Sequence, residues 1–152
     1  MELQIGAGFP QYEYKYTMLG MMFVLGNKLQ VIGDNFYEEI TTKQWFVLLM
    51  LEIFGEKYPT LNELSDAMGS SHQNVKQLVL KLENKGYVDL YTDEKDRRKT
   101  RVRTTTKCGE FSLKYGSKQQ EFMKILFSGI EKSNIRTALD TLIKFKKNLE
   151  GM

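Results

Sequence analysis

Ser71, His72, Gln73, Asn74, Lys76 and Gln77 form a nearly unbroken polar run in which only Val75 is apolar. Each can make hydrogen bonds, and no carboxylate follows until Glu83. Asn and Gln pair bidentately with adenine edges in the major groove. Ser, Lys and the free N–H groups of a helix start suit phosphate oxygens. A second cluster follows, with Lys95, Arg97, Arg98, Lys99, Arg101 and Arg103 crowding around Asp96 on what reads as the tip of a hairpin. Arginines on a thin hairpin can enter the minor groove, where the negative potential of DNA is strongest. Taken singly, the first cluster also suits an ordinary solvated helix face and the second a solubilising turn. Their adjacency favours contact with double-stranded DNA.

Other chemistry finds little support. A single histidine and a single cysteine exclude multi-histidine metal clusters, cysteine-based zinc sites and disulfide frameworks. Serine–histidine catalysis would rest on His72 alone. With no paired carboxylates and no Gly-rich phosphate loop beside a plausible cleft, the expectation is a non-enzyme that carries no metal or cofactor. Cys108 near a helix start could sense oxidants, but an inert thiol is the expectation. His72 could titrate near neutral pH, and a simple hydrogen-bonding role is expected for it. RNA binding would call for more exposed aromatics than Tyr87 and Tyr91 supply.

The elements that must position these clusters are mostly helical. Leu19, Met22, Phe23, Gly26, Leu29, Gly33 and Phe36 recur at spacings of three and four, which predicts a helix from Thr17 to about Tyr37. Thr41 or Thr42 caps the next helix, with Gln44 in a capping-box position. That helix is apolar nearly all round, so it is expected to be buried, with Trp45 and Met50 in the core, and Gly55 ends it. Pro59-Thr60 opens a third helix with a second capping box, Thr60 and Glu63. Leu61, Leu64 and Met68 share one face, and Gly69 stops it. Ser70 and Ser71 open a fourth helix with Val75, Leu78, Val79 and Leu82 inward, closed by Gly86. The period then changes to two: Tyr87–Tyr91 and Thr100–Thr104 read as antiparallel strands around a charged loop. A helix from about Lys107 to Phe127 follows. After a break at Ser128–Asn134, Ser133 is expected to cap a last helix striped by Ile135, Leu139, Leu142, Phe145 or Lys146, and Leu149.

Length and charge agree with this outline. The 152 residues carry a net charge of +3, and their number suits one ordinary domain, or one domain plus accessory helices. Residues 1–70 carry a net −5, residues 71–107 a net +5 and residues 108–152 a net +3. A basic second half beside an acidic first half suggests a face aimed at a polyanion, although a solvated lysine-rich face would have the same charge. The longest apolar run, Trp45 to Leu51, is seven residues, too short for a membrane span. The N-terminus has no apolar stretch typical of a signal peptide, so a cytoplasmic protein is expected.

Helix, turn, helix and charged hairpin, in that order, make a winged helix-turn-helix. The sequence resembles the MarR family of transcription regulators from about Thr17 to Leu149. The matching pieces are Thr42-x-x-Trp45-x-x-Leu48, Thr60-Leu61-x-Glu63-Leu64 and Leu82-Glu83-x-Lys85-Gly86-Tyr87-Val88, together with Asp96-Arg97-Arg98, the family's D-x-R wing signature. The resemblance implies a mainly α fold with a small β-wing. It also implies an obligate homodimer in which N- and C-terminal helices (1–37 and 107–152) interlock and residues 38–106 bind DNA. By that likeness Ser71 to Gln77 read the major groove, Asp96 orients the wing and Arg98 enters the minor groove, with Arg97 and Lys99 beside it. One departure is Thr104-Thr105-Thr106-Lys107-Cys108-Gly109, where the family has L-T-x-x-G. Either Cys108 replaces the glycine or one residue is inserted. Relatives often bind small aromatic anions that weaken DNA binding. Tyr12, Tyr16, Met22, Phe23 and Trp45 could line such an effector pocket, and a helix-packing seam would use the same residues. The rival to a DNA-binding repressor or activator is a non-enzymatic winged-helix module that binds a protein partner.

Overall fold

A computed structural model describes residues 13–152. The described residues are mainly α-helical with one two-stranded antiparallel sheet. The elements are α1 (Glu13–Asp34), α2 (Thr42–Phe54), a short 3-10 turn (Gly55–Lys57), α3 (Leu61–Met68), α4 (His72–Asn84), β1 (Val88–Thr92), β2 (Thr100–Thr104), α5 (Thr106–Leu126) and α6 (Lys132–Glu150). They fall into two compact units that divide after Gly109.

In the first unit, α1 ends earlier than its periodicity predicts. The Asp34 carboxylate accepts the Thr42 N–H at 2.7 Å, and the Thr42 hydroxyl donates to the Gln30 carbonyl at 2.9 Å. This close approach needs Gly33, since a Cβ there would lie 2.3 Å from Thr42 Oγ1. The capping boxes stand as expected: Thr41 with Gln44 opens α2, and Thr60 with Glu63 opens α3. Gly69 ends α3 in the left-handed region at φ 59°. The Ser70 N–H then reaches the Ser65 carbonyl at 3.1 Å, turning the chain directly into α4.

The core is built from Val47, Leu48 and Leu51 of α2, Leu61 and Leu64 of α3, Val75, Val79 and Leu82 of α4, and Val88 and Val102 of the sheet. Burial of α2 is one-sided rather than complete. Ile53 is exposed, while Trp45 and Met50 are only half-buried, because α2 packs on its neighbours through the Gln44, Val47, Leu48 and Leu51 face. Strand β1 starts at Val88 rather than Tyr87, because the Tyr87 N–H is used in the α4 terminus, donating to Leu82 O at 3.0 Å. Pairing runs from Val88↔Thr104 to Thr92↔Thr100. Residues 59–60 add a short third edge: the Val102 N–H donates to Pro59 O at 3.0 Å, and Thr60 bridges Arg101.

The second unit holds most of α5 and all of α6. Glu131, not Ser133, is the N-cap of α6, and it makes no side-chain capping bond. Leu139, Leu142, Ile143 and Leu149 line α6 as exposed apolar residues. Much of α1 is likewise exposed and apolar, including Leu25, Val31 and Ile32. Among the described residues, no helix is long and apolar enough to cross a membrane.

Candidate nucleic-acid interface

The first turn of α4 is built to present polar groups. Ser71 is its N-cap, in extended conformation, and its hydroxyl accepts the Asn74 N–H at 3.3 Å. The Asn74 side-chain amide donates to Ser70 Oγ at 2.8 Å. Ser71, His72, Gln73, Asn74, Lys76 and Gln77 are all exposed, while Val75, Val79 and Leu82 are buried on the opposite side. No acidic residue stands in this first turn, so the positive end of the helix dipole is uncompensated and favours an anion. At the other end, Glu83 accepts the Leu90 N–H at 3.2 Å and ties the last turn of α4 to β1.

The wing loop runs from Asp93 to Lys99. Asp93 is buried, and its Oδ1 accepts the N–H groups of Lys95 at 2.8 Å and Asp96 at 2.7 Å. Its other oxygen pairs with the Arg101 guanidinium. That hydrogen bond, with the two backbone donors, holds the Asp93 carboxyl down at about 2. Asp96 Oδ1 accepts both the backbone N–H and Nε of Arg98 at 3.2 Å, and Lys99 Nζ lies 3.9 Å from its other oxygen. The Arg98 side chain is nonetheless 92% exposed. Asp96, Arg98 and Lys99 are thus brought together, with Arg97 exposed beside them.

Arg101 and Arg103 do not belong to the tip where the charge pattern placed them. Strand pairing sets Arg101 opposite Tyr91 and Arg103 opposite Asp89. Arg101 is only 26% exposed, and its Nη1 donates to Tyr58 O at 2.7 Å. Arg103 pairs with Asp89 at 3.4 Å and lies over the Tyr91 ring, 5.1 Å from its centroid. Asp93 and Arg101 are the residues that sequence reasoning missed as organisers of the wing. A signal existed for Asp93: an aspartate opening a polar loop commonly accepts backbone N–H groups two and three residues on.

Among the described residues, the expected effector residues lie on α1 and α2. Tyr16 and Phe23 are exposed and lie seven residues apart on α1, on one face of the helix. Met22 is half-buried, and Trp45 stacks on Tyr37 with centroids 6.1 Å apart. Tyr12 lies outside the described residues. Cys108 sits buried in the first turn of α5, where burial and the charge of Glu52 push its thiol pKa up, away from thiolate reactivity.

Residues 39–99 match the MarR family. A search of the curated proteins found no match. Among solved structures, the chain is similar to a MarR/EmrR family transcriptional regulator from Acinetobacter sp. ADP1, at 20% identity and a TM-score of 0.79. That likeness covers 91% of this chain and 98% of the other. The S. aureus MepR–DNA complex is similar at 21% identity and TM-score 0.71, over 92% and 99% of the two chains. Bordetella bronchiseptica BpsR, solved in a study of how 6-hydroxynicotinic acid regulates its DNA binding, is similar at 17% and TM-score 0.71, over 91% and 97%. At these identities the likeness is one of fold.

Proposed function

We propose that this chain, whose residues 39–99 match the MarR family, is a transcription regulator that binds pseudo-palindromic double-stranded DNA as a homodimer. The observation that carries this reading is the exposed, carboxylate-free first turn of α4, followed in sequence by a wing from which Arg98 stands out. Ser71, His72, Gln73, Asn74, Lys76 and Gln77 read the major groove and its phosphates. Arg98 enters the minor groove, oriented by Asp96, with Arg97 and Lys99 contacting phosphate. The resemblance to MepR, solved as a DNA complex, supports the same use of the fold.

The exposed apolar residues of α1 and α6 support a dimer built from residues 1–37 and 107–152, leaving 38–106 to bind DNA. An isolated subunit would leave that apolar surface in water. Half-sites then lie one helical turn, roughly 10 bp, or a multiple apart. A small aromatic effector seated near Tyr16, Met22, Phe23 and Trp45 would release the DNA. The BpsR precedent and the exposed aromatics of α1 support that extension. Repression or activation of transcription in the cytoplasm is the corresponding role, with no catalytic step.

Fluorescence anisotropy on a duplex selected from a random pool tests the reading. Affinity should fall by roughly a thousandfold between about 50 and 200 mM salt if several phosphates are contacted. The absence of binding at low salt would overturn it, and a species that stays monomeric in sedimentation would overturn the dimer.

A further inference from the structure

We infer that Arg101 is a positioning residue for the wing, clamping the loop that carries Arg98 to the N-terminus of α3 and so fixing Arg98 in the frame of the helix-turn-helix. The inference deepens the DNA-binding reading and rests on it for its consequence, although the clamp itself can be tested without DNA.

The guanidinium faces two ways. Toward the loop, its Nε pairs with Asp93 Oδ2, while Asp93 Oδ1 holds the N–H groups of Lys95 and Asp96. The loop closes further through Asp93 N–H to Lys99 O and Lys99 N–H to Asp96 O, both at 2.9 Å. Toward the helix-turn-helix, Nη1 donates to Tyr58 O at 2.7 Å and to Lys57 O at 3.4 Å, and lies 3.9 Å from Glu63 Oε2. Glu63 is also the capping-box residue of α3, accepting the Thr60 N–H at 2.7 Å. Tyr58 presents its carbonyl from a left-handed conformation at φ 40°, which is costly for a residue with a Cβ and is sustained by the contacts around it. Its ring meets Tyr91 edge-on, with centroids 6.4 Å apart, just beside the clamp.

Backbone pairing and the buried Val88 and Val102 already hold the strands. Beyond Thr92 the loop reads Asp93-Glu94-Lys95-Asp96-Arg97-Arg98-Lys99, with no apolar side chain to anchor it. Its position therefore depends on polar ties, and Arg101 is the group that carries those ties across to α3. The planar fork of an arginine can serve a carboxylate on one side and carbonyls on the other, which a lysine ammonium reproduces poorly. Because α3 turns directly into α4 at Gly69, one side chain sets the wing against the same frame that sets the reading helix.

Two measurements on the full-length chain test the clamp. In amide hydrogen exchange without DNA, Arg101→Met should speed exchange at Lys95, Asp96 and Lys99 by about tenfold or more, while Val79 and Leu82 keep their protection. On a duplex selected from a random pool by the unaltered protein, Arg98→Ala and Arg101→Met should each weaken binding about tenfold. The double variant should be little weaker than the worse single, because an unclamped Arg98 has already lost its contact. Arg101→Lys should restore little. Losses that multiply to about a hundredfold, unchanged loop exchange in Arg101→Met, or full rescue by lysine would each overturn the inference. If Arg101→Met does not fold, Asp93→Asn carries the same cycle with the same outcomes. Should the unaltered protein bind no duplex, the DNA-binding reading fails while the exchange result still decides the clamp.

Discussion

Helix α4 and the wing loop both present polar groups, yet different forces hold them in place. Under its polar first turn, α4 has the fully buried Val75, Val79 and Leu82, and its end is tied to β1 by Glu83. The wing loop has no apolar footing and stands on Asp93, Asp96 and Arg101. Apolar packing is insensitive to pH and robust to salt, whereas ion pairs and carboxylate hydrogen bonds are not. A reader fixed by packing keeps its register under changing conditions, while a contact fixed by charge can be loosened without unfolding the domain.

The largest effect should come from removing that packing. Leu82 is fully buried, and Leu82→Ala should destabilise the fold by about 2–5 kcal/mol through lost burial and a residual cavity. Urea unfolding measures this, and DNA binding should fall with stability. Asp93→Asn should shift the urea midpoint far less while loosening the loop. Equal shifts for the two variants would erase the distinction between packed helix and ionic wing.

Next in size are the base contacts proposed for α4. Loss of a bidentate contact should cost roughly 1–3 kcal/mol of discrimination. The structure ranks the two amides. Asn74 already donates one of its two amide hydrogens to Ser70 Oγ at 2.8 Å, so reading a base requires either breaking that bond or meeting the base with the remaining N–H and the oxygen in the orientation the bond sets. Gln73→Ala should therefore relax base preference more than Asn74→Ala in a selection experiment. Equal losses on selected and random duplexes would show that both residues touch only phosphate.

The winged helix-turn-helix was legible because its boundaries are local chemistry. Thr41 with Gln44, Thr60 with Glu63, and the glycine at 69 are signals spaced within one helical turn, and each stands where the spacing puts it. What sequence spacing misplaced depends on partners far along the chain or on competition for one N–H. Arg101 is paired with Tyr58, 43 residues away, so its cation reads as tip charge until the strand register is known. Tyr87 fits the alternation of a strand, yet its N–H is drawn into the α4 terminus. Asp34 ends α1 through Thr42, eight residues on. Glu131 takes the capping position that Ser133 suits better by composition.

A smaller effect tests the helix side alone. Ser71→Ala removes the N-cap acceptor for the Asn74 N–H and should cost about 1 kcal/mol of stability. Hydrogen exchange should quicken in the first turn of α4 and leave the wing amides unchanged. A disturbance that spread to Lys95 and Asp96 would mean that the two regions are less independent than their supports suggest.

The smallest effect, and the most specific to the wing, is its response to acid. Asp93 is held at about 2, chiefly by the Arg101 hydrogen bond and then by the Asp96 and Lys95 N–H groups. In an unfolded chain the same carboxyl titrates near 3.9, roughly the ordinary aspartate value. A depressed carboxyl contributes stability that is complete above the unfolded value and is lost as pH falls through the folded one. The wing loop should therefore stay ordered down to about pH 4 and loosen progressively toward about pH 2. Glu63, lowered mainly by the Thr60 N–H and further by Arg101, weakens the start of α3 on the acid side too. Ser71, the cap of α4, carries no titrating group. Carboxyl-carbon NMR shifts should show Asp93 titrating near 2 in the unaltered chain and closer to the ordinary aspartate range in Arg101→Met. An ordinary midpoint in the unaltered chain would mean that the loop does not stand on this carboxylate, and the contrast between a packed reader and an ionic wing would lose its footing.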